Sequence, residues 1–144
     1  MSADDVIHDL EDELLDMGRR YRIRIREAAK ALHPKLDPAS YPLISMLAKR
    51  GPMRLSELAT HLLAEKSTLS RQVDAAVRLG LVERIPDPDD ARARQIALTP
   101  EGQQGVSAQL QARREQLHER LRGWPESEIR ELTRLMRRLN QESP

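Results

Sequence analysis

The chain has no cysteine and no phenylalanine, and only one tryptophan and two tyrosines. Without cysteine there can be no disulfide, no thiolate metal ligand and no thiol redox switch. Without phenylalanine, the core has to come from Leu, Ile, Val, Met and Ala. An excess of one charge is missing too, since 24 Lys and Arg stand against 23 Asp and Glu, so any basic footprint must arise from local arrangement. No window approaches the roughly 18 to 20 consecutive apolar residues of a membrane span. The acidic start, Met1-Ser2-Ala3-Asp4-Asp5, lacks the basic end and apolar run of a secretory signal. A cytoplasmic protein without a membrane partner is expected. No Gly-rich phosphate loop occurs, and Ser45 and Ser107 have no motif around them. His8, His33, His61 and His118 are scattered without helical metal-binding spacing. No enzymatic activity, no metal and no cofactor are therefore expected.

What is present suits helices. With 144 residues, 39% hydrophobic and 33% charged, the chain is long enough for one domain built from amphipathic helices. From Asp4 to Leu32, apolar residues recur at Ile7, Leu10, Leu14, Met17, Tyr21, Ile25, Ala28 and Leu32. Steps of three and four predict one long helix, ended by His33-Pro34 because a residue before proline avoids the helical region. Asp37-Pro38 starts a short helix through Leu43 and Leu47 that Gly51-Pro52 closes. A third helix runs through Leu55, Leu58, Ala59 and Leu62. A fourth runs from about Lys66 to Leu79 through Leu69, Val73 and Ala76, terminated by Gly80.

Strand signals follow at once. Leu81 to Ile85 alternates, and Gln95 to Leu98 can return beside it across a turn, Pro86 to Arg94, that is acidic at its start and basic at its end. Two short helices followed by a hairpin are what a helix-turn-helix with a wing looks like. Thr99-Pro100-Glu101 then opens a helix that Leu110, Leu117 and Leu121 continue. A last helix begins near Pro125 and places Ile129, Leu132, Leu135, Met136 and Leu139 on one side, with Glu142-Ser143-Pro144 expected to fray. The fold class expected is mainly α (α+β), a winged helix-turn-helix domain over about 38–99 with a two-stranded wing. A linking helix at about 100–122 and terminal helices at about 4–33 and 125–141 flank it.

In such a motif the second helix enters the major groove and meets base edges with its first turns. Here those positions offer Lys66, Ser67, Thr68, Ser70, Arg71 and Gln72. Arg can bond guanine in bidentate fashion, Gln can bond adenine, and hydroxyls can reach bases or phosphates. A Ser/Thr-rich helix start also reads as simple capping; Arg71 and the following wing favour double-stranded DNA. Arg92 at the wing tip suits a narrow minor groove. Arg94 points to phosphate or to water, and Arg54, just before the third helix, to phosphate or to plain surface. The terminal stripes, Ile7, Leu10, Leu14 and Met17 with Ile129, Leu132, Leu135 and Leu139, have little of the central domain to pack against. Burial in a second subunit is their expected fate.

The chain resembles the MarR (multiple-antibiotic-resistance regulator) family of bacterial transcription factors. The resemblance runs from Arg54-Leu55-Ser56-Glu57-Leu58-Ala59, through Ser67-Thr68-Leu69-Ser70-Arg71 and Leu79-Gly80-Leu81-Val82-Glu83-Arg84, to Pro86-Asp87-Pro88-Asp89-Asp90 and Leu98-Thr99-Pro100-Glu101-Gly102. It implies a homodimer with intertwined first and last helices. It also implies binding to a pseudo-palindromic operator, repression, and often release by a small-molecule effector. Relatives similar in the wing use an Asp two places before an Arg to hold the tip, which Asp90 and Arg92 match. The chain departs from many relatives in having Glu65-Lys66 where they carry Ser-Pro; Glu is the weaker cap and brings negative charge towards a phosphate position. Tyr21, Tyr41, Arg20, His33 and Met46 could meet an effector, although Tyr21 and Met46 read equally well as core and Arg20 as a solvated residue. The alternative to a DNA-reading regulator is a helical protein-interaction adaptor on the same fold.

Overall fold

A computed structural model of the chain describes residues 1–141; Glu142-Ser143-Pro144 lie outside the described residues. Two compact units divide it, Met1–Leu110 and Gln111–Pro144, and each is described by itself. The first opens with α1 (Ala3–Leu32), whose N-terminus is closed by a capping box between Ser2 and Asp5. His33 turns to extended backbone ahead of Pro34, as the proline requires. Only the last two turns of α1 join the core, through Ile25, Ala28 and Ala29; Val6, Ile7, Leu10 and Met17 stay exposed.

The expected second helix is really two elements. A 3₁₀ turn, Pro38–Ser40, is capped by the Asp37 side chain, and α2 (Tyr41–Arg50) follows until Gly51, at φ +82°. The helix-turn-helix consists of α3 (Leu55–Leu62) and α4 (Lys66–Arg78). Between them the Leu63 and Ala64 N–H groups donate to Thr60 and Ala59, the two bonds that end a helix when the next residue turns left-handed. The residue that turns is Leu63, at φ +51°, in a place usually given to glycine, and its side chain is 95% exposed.

The same motif, with a glycine, ends α4. Gly80 (φ +76°) donates to Val77 and Leu81 to Ala76. Leu81 is thus consumed in closing the helix, and β1 (Val82–Pro86) begins one residue later than its alternation suggested. It pairs antiparallel with β2 (Arg94–Leu98) in the register Val82 to Leu98 and Pro86 to Arg94. A third rung was not expected: Met53 and Ile96 exchange backbone bonds of 3.1 and 2.7 Å, fastening the segment before α3 to β2.

Leu43, Ile44 and Leu47 from α2, Leu58 from α3, Leu69, Val73 and Ala76 from α4, and Val82 and Ile96 from the hairpin form one aliphatic core. It receives α5 (Pro100–Arg120) through Val106. The Thr99 hydroxyl accepts from Gly102 N–H at 3.0 Å, capping α5, and donates to the Gly80 carbonyl at 2.6 Å. A Cβ on Gly102 would lie 2.0 Å from the Leu81 carbonyl oxygen, so only glycine lets the first turn of α5 sit this close to the backbone after α4.

The second unit carries the remainder of α5, a turn at Gly123 (φ +84°) and α6 (Glu126–Gln141). No residue of α6 is buried, and Leu132, Leu135 and Leu139 remain nearly half exposed along one side. The opposite side is polar, with Glu126 paired to Arg130 and Glu131 to Arg134. No helix among the described residues is long and apolar enough to cross a membrane.

Candidate nucleic-acid interface

Three buried residues at helical spacing, Leu69, Val73 and Ala76, fix which way α4 faces. With that side inward, Ser67, Thr68 and Arg71 are exposed, as is Lys66 in the first turn; Ser70 and Gln72 lie half-buried at the margins. Glu65 occupies the cap position without a side-chain cap bond, so the first N–H groups of α4 are left for water or another partner. Arg71 has no hydrogen bond or ion pair among the described residues. Asp74, further along the outward side, pairs with Arg84 of β1 and ties the helix to the hairpin.

The wing is ordered by its acidic half. Asp87 is buried, its side chain only 3% exposed, and each of its oxygens is used. Oδ1 accepts from the Asp89 and Asp90 N–H groups at 2.8 and 3.2 Å, while Oδ2 accepts from Arg54 Nε at 2.7 Å. The Arg54 guanidinium and the Asp89 amide hold the Asp87 carboxyl down at about 2, and the anion in turn raises Arg54. Asp90 supports the tip as well, but through backbone: its Oδ1 accepts from Arg92 N–H at 2.9 Å and its carbonyl from Ala93 N–H at 3.0 Å. The Arg92 side chain does not pair with it. Arg92 and Arg94 are exposed, with guanidinium groups that meet no carboxylate among the described residues.

The sequence-based candidates therefore fall into two groups. Lys66, Ser67, Thr68, Arg71, Arg92 and Arg94 present side chains to solvent from α4 and the wing. Arg54, expected at a phosphate or on plain surface, is partly exposed and directs its Nε to Asp87. Sequence reading missed Asp87, Asp74 and Arg84 as structural parts of the site. The pairings span 33 and 10 residues, beyond any local periodicity; the one available signal was an Asp between two prolines, a turn-forming context. Of the residues considered for an effector, Tyr41 is buried with its hydroxyl unpartnered, Met46 packs against the core and Arg20 pairs with Asp16 at 2.9 Å. Among the described residues no group of three or more His, Asp or Glu could hold a metal ion.

Comparison with known proteins gives the same outline. The family model of the MarR family matches residues 35–93, from just after α1 to the turn ahead of β2. The HTH-type transcriptional regulator YxaD of Bacillus subtilis (strain 168) is 35% identical over 105 residues, covering 73% of each chain. A MarR family protein from Bacillus stearothermophilus superimposes with a TM-score of 0.79 at 24% identity, over 99% of this chain and 98% of that one. A MarR family transcriptional regulator from Listeria monocytogenes, solved with a 26mer DNA, superimposes with a TM-score of 0.72 at 18% identity, over 89% of this chain and 86% of that one.

Proposed function

The chain belongs to the MarR family of transcription regulators, and from that premise we propose that it is a homodimeric, sequence-specific reader of double-stranded DNA. The family's members are regulators and not enzymes. The observation that carries the reading is the set of unpaired cations on two adjoining elements: Arg71 on the outward side of α4, and Arg92 and Arg94 on the wing. Exposed arginines without a carboxylate partner also occur elsewhere among the described residues, Arg22, Arg26, Arg50 and Arg78 among them, so it is the placement of Arg71, Arg92 and Arg94 together on the outward helix and its wing that counts. Cations left without carboxylate partners on both the outward side of the second helix and the wing are what a phosphate- and base-contacting surface requires. The Listeria relative's complex with DNA supports the same use of the fold.

In this reading Ser67, Thr68, Ser70, Arg71 and Gln72 meet base edges or nearby phosphates, Lys66 meets phosphate, and Arg92 enters the minor groove with Arg94 on the backbone beside it. The second copy covers Ile7, Leu10, Leu14 and Met17 of α1 and Ile129, Leu132, Leu135 and Leu139 of α6, so residues 4–33 and 125–141 serve as dimerisation helices. The protein acts in the cytoplasm as a repressor by occupying a pseudo-palindromic operator. A small-molecule effector belongs to the reading through the family resemblance.

Titration against random genomic fragments at several salt concentrations, with sequencing of what stays bound, tests it. A shared inverted repeat with half-site centres about 34 to 36 Å apart is expected; no retained DNA would leave a protein-interaction adaptor. Arg71→Ala should cost about 1 to 3 kcal/mol per half-site and relax preference at one symmetric pair of positions. Arg92→Ala should weaken all operators more evenly. Arg71→Ala leaving the preferred sequence unchanged while Arg92→Ala rewrites it would reverse the assigned roles.

A further inference from the structure

We infer that Asp87, clamped by Arg54, is a positioning residue for DNA binding that sets where the wing arginines sit relative to the helix-turn-helix; this rests on the DNA-reading function proposed above. Asp87 is the one buried charged residue among those described. A buried carboxylate is costly unless every lone pair finds a donor, and here the two oxygens divide the work. Oδ1 builds the turn from inside by accepting from Asp89 and Asp90. Oδ2 anchors that turn to Arg54, at the very start of α3.

The neighbouring bonds show what the clamp fastens. Met53, one residue before Arg54, is already locked to Ile96 of β2 by two backbone bonds. On the other flank, Arg84 of β1 is paired with Asp74 of α4. The hairpin is thereby tied to both helices of the helix-turn-helix, and Asp87 is the tie nearest the tip. Beyond it the loop is held by Asp87 N–H to the Ala93 carbonyl at 3.1 Å and by the two bonds that Asp90 accepts. Among the described residues the Arg92 and Arg94 guanidinium groups have no hydrogen bond or ion pair, so where they begin is set by the turn for Arg92 and by the first rung of β2 for Arg94. Arg54 is 40% exposed while the Asp87 side chain is only 3% exposed, so the pair holds a buried carboxylate in place and is not a simple screened surface attraction. Its contribution is geometric: a single planar donor aimed at one oxygen.

Asp87→Asn tests this in the full chain. The amide oxygen can still accept from the turn, while the charge that aims Arg54 is lost. The expected variant folds and assembles like the parent, binds operator about tenfold more weakly, and shows a salt dependence shallower by about 2 in log K against log salt, one contact per wing of a dimer. Arg54→Gln, on the exposed side of the pair, should give the same shallower slope. In an Arg92→Ala, Arg94→Ala background, Asp87→Asn should cause no further loss, because its effect passes through those side chains. An Asp87→Asn loss that persists undiminished in that background, or a salt slope equal to the parent's, overturns the inference. A parent chain that binds no operator at all overturns the DNA-reading function on which the inference stands, and a binding parent with an unaffected Asp87→Asn overturns the inference alone.

Discussion

Leu69 and Leu132 are both leucines on the apolar side of an amphipathic helix, yet the first is fully buried and the second is 46% exposed. Around Leu69, α4 finds α3, β1 and the 3₁₀ turn within its own unit. Around Leu132, α6 finds nothing in its unit deep enough to bury a single residue. The first three-quarters of α1 is like α6 in this respect, with Ile7, Leu10 and Met17 left open while Ile25, Ala28 and Ala29 are covered. Identical periodicity thus marks a face that must be covered, without saying whether the cover comes from the same chain or another. The central lobe closes its own core; the terminal stripes find no such cover among the described residues.

The sharpest way to break this contrast is to charge a terminal stripe. Leu132→Asp with Leu135→Asp should raise the dimer dissociation constant by about a thousandfold or more, since burying two unpaired carboxylates per subunit costs ~4 kcal/mol at least. Sedimentation across a dilution series reads this directly, and an undiminished dimer would show that α6 is not the covered face.

The matching change inside the lobe is Leu69→Ala. It should lower unfolding stability by about 2 to 5 kcal/mol through lost burial and a residual cavity, while the sedimentation coefficient stays that of the parent. A drop of under 1 kcal/mol in urea unfolding would mean that the lobe is less closely packed than its burial implies.

The smallest effect lies in the turn between α3 and α4. Leu63→Gly gives up no packing, because the side chain projects into solvent, and it relieves a left-handed conformation that costs an ordinary residue about 1 to 2 kcal/mol. Glycine's greater freedom in the unfolded chain offsets part of that gain, leaving a net stabilisation of about 0.5 to 1 kcal/mol. A lowered melting temperature would show that Leu63 is held by something other than its own turn.

These same residues mark what could be read from the sequence. The helix-turn-helix was legible because Leu55, Leu58, Ala59 and Leu62, then Leu69, Val73 and Ala76, repeat at helical spacing and Gly80 supplies a visible stop. Thr99 was legible as a cap because the hydroxyl, the proline and the acid stand in consecutive places. The outward set on α4 follows from the same spacing, so Ser67, Thr68 and Arg71 could be named in advance. Leu63 was not legible as a left-handed residue, because that conformation is dictated by closing α3 against α4 and no glycine advertises it. Leu81 was assigned to the strand because alternation cannot register that its N–H is already committed to ending α4. The Arg54 to Asp87 clamp escaped for a third reason: three aspartates and two arginines in the wing look like a solvated charge run, and only the packed structure shows which one carboxylate is buried.

The joint at Thr99 to Gly102 has a consequence for how such a protein can change over generations. A methyl group at Gly102 would collide with the carbonyl of Leu81, and the Thr99 hydroxyl serves two backbone groups at once. Any side chain at Gly102 collides with that carbonyl, and any residue at Thr99 without a hydroxyl gives up both bonds. The exposed side of α4 and the wing tip carry no comparable restriction, since Ser67, Arg71 and Arg92 touch little of their own chain. On the DNA-reading function proposed above, a change of preferred sequence needs only the exposed side chains to change, while Thr99 and Gly102 keep the frame in which any preference is read.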